Sequence, residues 1–345
     1  MLALHDTATG DVRELALREG GKASLYICGA TVYGPPHIGH GRFVLVFDLL
    51  RRYLEHLELD VDHVSNITDV DDKIIKRAND ESRSWQSVAE EHEADWWAAM
   101  DALGARRPTV VPHASAYVPQ MVEMIGELAG AGKAYETSDG VYLSVEKVDG
   151  YGLLAHQSLD SLRAGGGARA VVGEEKHSTF DFVLWKKAKP GEPSWPSPWG
   201  PGRPGWHTEC VVMSLDLLGE GFDLHGAGQD LIFPHHENER AQAVALGKRF
   251  ANHWMHNGMV EVGGQKMSKS LDNFTTIGEM LESGADPRAY RLLVARSNYR
   301  SPIEVGNDQV VSAGESLRRL DAFARMVREL EAARPAPPEA GANAA

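Results

Sequence analysis

Cysteine is almost missing from this 345-residue chain, which carries only Cys28 and Cys210. One pair cannot staple a small secreted framework, so the fold must rest on an apolar core, for which 43% hydrophobic residues are ample. Positive charge is also scarce. Thirty-five Lys and Arg face forty-nine Asp and Glu, giving a net charge of −14 and a pI of about 5.5. This balance excludes a protein that coats duplex DNA by bulk charge, although the Lys/Arg-bearing stretches 288–300 and 318–328 leave room for a local basic groove. No run approaches eighteen uninterrupted apolar residues, and Met1-Leu-Ala-Leu-His-Asp has no basic segment leading into an apolar one. Neither a membrane span nor a signal peptide is read, and a cytoplasmic, monomeric enzyme of one large or two smaller domains is expected.

What the chain does have is an alternation of short apolar runs and amphipathic stretches. Ala23–Cys28 (ASLYIC) reads as a buried strand, and Gly41–Leu57 as a helix with Phe43, Val46, Phe47, Leu50 and Leu54 on one face. Val61–Ser65 reads as a second strand and Asp71–Asn79 as another helix. Strand, crossover helix and strand in roughly forty residues predict a parallel α/β sheet. From about 110 to 205 the texture changes to a helix over 117–131, a strand pair around 134–145, a Gly-rich loop at 164–167 and the segment KPGEPSWPSPWGPGRPG. Proline at that density rules out regular helix or central strand. The predicted organisation is a first catalytic half over 1–110, an insertion over 111–205, a second catalytic half over 206–262, a loop and following region over 263–310, a helix over 311–333, and a disordered low-complexity tail over 334–345.

The first strand runs into CGATVYGPPHIGHGR, residues 28–42, where His37 and His40 bracket Ile38-Gly39 at a helix start. Glycines let backbone approach a ligand, and a helix start offers N–H groups to phosphate. Two imidazoles there can bond phosphate oxygens whose charge changes during attack at phosphorus. The same residues also suit a tight turn with two solvated histidines. Far along the chain, GGQKMSKSLDN (263–273) sets Lys266 and Lys269 among Ser268 and Ser270 in a cationic loop that could neutralise a leaving pyrophosphate. HIGH after the first strand and KMSKS near the end of the α/β region, in this order, resemble the class I aminoacyl-tRNA synthetases. That resemblance implies a Rossmann-like parallel sheet with an inserted connective-peptide domain and a short helical C-terminal region. It assigns His37, Gly39, His40, Lys266, Ser268 and Lys269 to ATP, with His37, His40, Lys266 and Lys269 stabilising the transition state.

PHHENE, Pro234 to Glu239, follows a strand-like apolar run, Asp230 to Phe233. Such a cluster suits a metal site, an acid/base pair or a solvated first helical turn. On a helix His235 and Glu239 share a face, while His236 and Glu237 turn aside. With Cys28 and Cys210 they would form a mixed sulfur, nitrogen and oxygen donor set of the kind zinc accepts. YICGATVYGPPHIGHGR, SNITDVDDKIIKRA (65–78), the segment 180–210 and DLIFPHHENERAQ (230–242) together are similar to the cysteinyl-tRNA synthetases, from about residue 22 to 310. That family holds one zinc through two Cys, one His and one Glu, here Cys28, Cys210, His235 and Glu239, and the metal takes the thiolate of the substrate cysteine. The chemical reason is selectivity. Ordinary pockets separate near-isosteres such as serine and cysteine by only about 1–3 kcal/mol.

The resemblance further places Gly29, Thr31, Thr68, Trp206 and Asp230 around the amino acid. It implies ATP with Mg2+, L-cysteine and tRNA(Cys) as partners, and no membrane. The chain departs from the family pattern at Ala30, where proline is usual, at LDN after KMSKS, and at its C-terminus, which carries only the start of a helical bundle and no anticodon-reading domain. Transfer of cysteine to a small amine or carrier protein therefore stands as the alternative, as in the mycothiol-pathway ligase, and a non-catalytic zinc-binding paralogue as a third reading.

Overall fold

The structure is a computed structural model that describes residues 2–164, 175–266 and 275–333. The Gly-rich loop from 165 onward, Ser268, Lys269 and the tail 334–345 lie outside the described residues. An N-terminal hairpin, β1 (Ala3–His5) and β2 (Val12–Glu14), leads into the central strand β3 (Lys22–Thr31). Strand β3 is buried on both faces. Ala23, Leu25 and Ile27 join one apolar core, while Tyr26 and Cys28 point into the other. Helix α1 (Ile38–His56) starts three residues before the apolar periodicity predicts, because its first turn is polar and fixed by capping rather than by burial. It crosses over to β4 (Asp60–Thr68), which runs parallel to β3. Helices α2 (Asp72–Asp80) and α3 (Trp85–Ala102) follow.

The next segment builds a separate antiparallel sheet. Helix α4 (Val118–Gly130) precedes β5 (Ala134–Glu136) and β6 (Gly140–Leu143), and the short α5 (Leu159–Ala164) precedes β7 (Phe182–Lys187) and β8 (Gly202–Pro204). The strand order is β5-β6-β7-β8, so the proline-rich stretch supplies only an edge strand, where a missing N–H does no harm. Helix α6 (Trp206–Leu218) then returns to β9 (Leu224–Gly228), and α7 (Glu237–Ala245) to β10 (His253–Asn257). The chain continues through β11 (Val260–Val262), β12 (Gln265–Lys266), α8 (Ile277–Glu282), α9 (Pro287–Ala295), β13 (Ile303–Glu304) and α10 (Asn307–Ala332).

The main sheet has the order β10-β9-β3-β4, with every neighbouring pair parallel. Strand β3 connects to β4 on one side through α1, and its other neighbour, β9, arrives from much later in the chain. The order therefore reverses between β3 and β9. In a parallel sheet the crevice at the carboxyl ends of such strands is where ligands bind. There the sheet is drawn tight: a Cβ on Gly29 would lie 1.5 Å from the Asn66 carbonyl oxygen of β4, so only glycine fits.

One expectation needs correction. Asp230 to Phe233 is no strand; Gln229–Leu231 form a 3-10 turn and Ile232–His236 a π turn. Pro234 supplies no N–H to a ladder, and the strand of this region is the preceding β9, whose small residues pack below Phe47.

Candidate active site

Four buried donor atoms from three parts of the chain converge at this crevice. The alternation of β3 turns Cys28 toward α6, where Cys210 lies on the second turn, and the two sulfurs stand 3.7 Å apart. That separation is far beyond a disulfide bond and matches the edge of about 3.8 Å expected when two thiolates bind one tetrahedral zinc. Glu239 Oε1 is 3.6 Å from Cys28 Sγ and 2.8 Å from His235 Nε2, and His235 Nε2 is 3.9 Å from Cys210 Sγ. These four atoms all lie within 4.8 Å of one another. Soft sulfur, imidazole and carboxylate at such spacing fit a zinc ion.

The electrostatics of the cluster favour the ionised form at Glu239 and Cys210. Burial opposes charge on Glu239, but His225, His235 and His236 hold its carboxyl well below the usual range. A hydrogen bond from Cys28 draws the Cys210 thiol down to about 6, whereas burial pushes Cys28 well up. Burial also works against charge on His235, yet neighbouring Glu239 raises it to about 10. Protons on His235 and Cys28 offset part of the negative charge, and a bound metal would take their place.

His236 does not turn aside. The chain is kinked at Phe233, whose backbone is extended (φ −137°, ψ 131°), and just beyond the kink His236 Nε2 comes within 3.2 Å of Cys28 Sγ. With His225, Cys28 and Glu239 it makes a second compact donor group. Glu237 does lie apart: it accepts from the Leu154 N–H and pairs with Arg240, tying α7 to the segment before α5. His225, His207 and His256 are functional candidates that sequence reasoning missed. His225 bridges the Tyr26 carbonyl and Glu239 Oε2, at 3.0 and 2.6 Å. His207 Nδ1 meets His235 Nδ1 at 2.8 Å, and His256 Nε2 meets His236 Nδ1 at 2.9 Å. Burial keeps His207, His236 and His256 neutral, His256 at about 3. They orient the inner donors without adding charge.

The proposed amino-acid contacts divide. The Trp206 indole stacks on His235 at 4.0 Å. The Thr68 hydroxyl, at the end of β4, donates to buried Glu209 at 2.6 Å, whose carboxyl burial pushes well up. Asn66, also unforeseen, accepts from the Gly29 N–H at 2.9 Å and donates to Thr68. Thr31 is half-buried where β3 ends. Asp230 stands exposed on the 3-10 turn and has no hydrogen bond or ion pair with the four donors.

The histidine turn is built differently from the sequence expectation. His37 Nδ1 accepts from the His40 N–H at 3.2 Å, and His40 Nδ1 accepts from the His37 N–H at 3.3 Å, a reciprocal cap made by two stacked imidazoles 3.6 Å apart. The Ile38 N–H bonds to Thr275, and the Gly41 N–H to the His37 carbonyl. Among the described residues only the Gly39 amide is left without a partner in this first turn. Burial, then His37 and Lys73, hold His40 neutral, well below its usual range. Lys266 ends β12.

A family model described as tRNA synthetases class I (C) catalytic domain matches residues 15–315. Cysteine--tRNA ligase of Syntrophobacter fumaroxidans is 46% identical over 334 residues, which cover 96% of this chain and 67% of that protein. The corresponding ligase of Carboxydothermus hydrogenoformans is 45% identical over 340 residues, covering 98% of this chain and 72% of that one. The chain thus spans about two thirds of the length of the curated relatives it matches. A solved structure of Mycobacterium tuberculosis methionyl-tRNA synthetase in complex with methionyl-adenylate superposes with a TM-score of 0.61. It is 17% identical, over 84% of this chain and 67% of that one, a likeness of fold.

Proposed function

Because this chain belongs to the class I tRNA synthetases of the cysteine type, we propose that it activates L-cysteine with Mg-ATP and transfers the cysteinyl group to tRNA(Cys). In the first step a substrate carboxylate oxygen attacks the α-phosphorus, the bond to the bridging oxygen breaks, and pyrophosphate leaves cysteinyl-adenylate. In the second, a ribose hydroxyl of the tRNA end attacks the carbonyl carbon and AMP departs. No protein nucleophile is required, so catalysis consists of positioning and charge stabilisation.

The observation that carries this reading is the buried donor set Cys28, Cys210, His235 and Glu239 at the carboxyl ends of β3 and β9. One bound zinc would supply a soft Lewis-acidic position for the substrate thiol, which an un-ionised hydroxyl does not match. The protein does the rest. Trp206 covers one side of His235, and Thr68 and Asn66 fix the floor of the amino-acid pocket together with Gly29 and Thr31. Neutral His40 gives a hydrogen bond, not charge, to phosphate oxygens, His37 stands beside it, and the Gly39 amide adds one more donor. Lys266 and Lys269, with Ser268, are assigned to the triphosphate. The reported relatives are tRNA ligases, so transfer to a small amine or carrier protein is not favoured.

The test joins three measurements on the whole chain: bound zinc, cysteine-dependent ATP–pyrophosphate exchange, and transfer of labelled cysteine to tRNA or to small amines. Stoichiometric zinc, exchange and tRNA charging are expected. Exchange without charging of any tRNA preparation would defeat the tRNA assignment, and absence of exchange would defeat the enzyme.

A further inference from the structure

Arg42 follows the histidine turn by two residues and is 1% exposed, yet among the described residues no carboxylate pairs with it. Its guanidinium instead gathers main-chain carbonyls from two distant segments. Nη1 donates to Met259 at 2.7 Å, between β10 and β11. Nη2 donates to Asn298 and Tyr299, each at 3.2 Å, and to Ser301 at 2.5 Å, in the loop before β13. A buried cation held only by carbonyls is costly, and burial draws it down to about 10, still charged near neutrality.

The location of those carbonyls shows what the cost secures. Strand β13 pairs with β11, which pairs with β12, and Lys266 is the last residue of β12. On the other flank, Ile38 N–H bonds to Thr275 and Ile277 N–H to Pro36, while the Tyr290 hydroxyl donates to the Ile38 carbonyl at 2.6 Å. The first turns of α1 are therefore tied to the β11–β12 hairpin on one side and to Thr275–Ile277 on the other. Arg42 is the only side chain among the described residues that bonds α1 to both Met259 and the 298–301 loop.

We infer that Arg42 is a positioning residue for adenylate formation, its planar fork fixing the separation between His37 and His40 on α1 and Lys266 on the β11–β12 hairpin. It acts through those residues and touches neither substrate. The inference rests on the reading of both groups as nucleotide contacts. Lysine keeps the charge but presents its three donors from a single nitrogen, so it does not reproduce the span of the planar fork between the two segments. A purely structural role would lower the folded fraction and scale every kinetic quantity alike.

The experiment measures ATP–pyrophosphate exchange for the parent chain, Arg42→Lys and Arg42→Gln, with melting temperature and equilibrium cysteine binding alongside. For folded variants, kcat/KM for ATP is expected to fall at least tenfold, while cysteine affinity stays within twofold of the parent. Unchanged kcat/KM for ATP in a folded variant overturns the inference. So does a parallel loss of ATP turnover and cysteine binding, or failure of both variants to fold, since each reduces Arg42 to a stability element. Absence of exchange in the parent chain would instead defeat the underlying functional reading.

Discussion

His63 gives this fold a built-in sensitivity to acid whose size follows from its surroundings. The residue sits on β4 opposite Leu25, and neither ring nitrogen has a hydrogen-bond partner among the described residues. Phe43, Phe47, Trp96 and Met100 enclose it around a cavity of about 30 Å³. Burial, then the Arg51 charge, lower its pKa from 6.5 to about 4. A depressed imidazole pKa means that the unfolded chain binds its proton first. The contribution is thus intact above pH 6.5 and is lost as pH falls through 6.5 toward 4. The full difference is about 3 kcal/mol, of which about 2 kcal/mol is already gone at pH 5. Replacing His63 by Leu removes the titrating group while keeping an apolar side chain in the pocket. Urea unfolding at pH 8 and at pH 5 should show the parent losing about 2 kcal/mol more than His63→Leu over that interval. Equal losses in the two proteins would refute the account of a buried, unpartnered neutral histidine.

Three further outcomes are expected. His37→Asn replaces an unusual imidazole cap by a preferred N-cap acceptor, so its melting temperature should not fall while kcat for exchange falls by about 10²-fold or more; unchanged kcat would remove His37 from the nucleotide site. Cys210→Ser should lose zinc by metal analysis, and its preference for cysteine over serine should fall to about 10–200-fold; a metal-free variant that still rejects serine as the parent does would refute the donor assignment. Gly29→Ala places a methyl 1.5 Å from the Asn66 oxygen and should cost more than about 4 kcal/mol in denaturant unfolding or prevent folding, and a normally stable variant would show that the β3–β4 contact is looser than described.

The parallel sheet was legible because ASLYIC, the helical periodicity after Gly41 and the run from Val61 each carry a strong local pattern. The four donors were legible through the resemblance of PHHENE and its companion segments to a known family; the residues alone left a metal site, an acid/base pair and a solvated turn open, and the structure brings the four atoms together. His207, His225 and His256 were not, since each alone resembles an ordinary core histidine and only the fold brings them against Glu239, His235 and His236. The inward turn of His236 was hidden because its neighbours suggest one continuous helix, whereas the chain is kinked at Phe233. The reciprocal histidine cap was equally hidden, for imidazole is not among the side chains that usually cap helices.

That cap has a bearing on life in a phosphate-rich cell. A helix start with its amides vacant would be an indiscriminate trap for orthophosphate, sulfate and any passing nucleotide. Here three of the four first amides are already committed within the chain, and each ring accepts from the other residue's main-chain N–H. An isolated anion gains one amide at most and must break an internal bond for any more. On the proposed reading, a triphosphate held elsewhere on the protein would bring its oxygens to the turn at high effective concentration and could displace the cap. On that reading the histidine pair would work as a threshold, silent toward fragments and answering only the whole nucleotide.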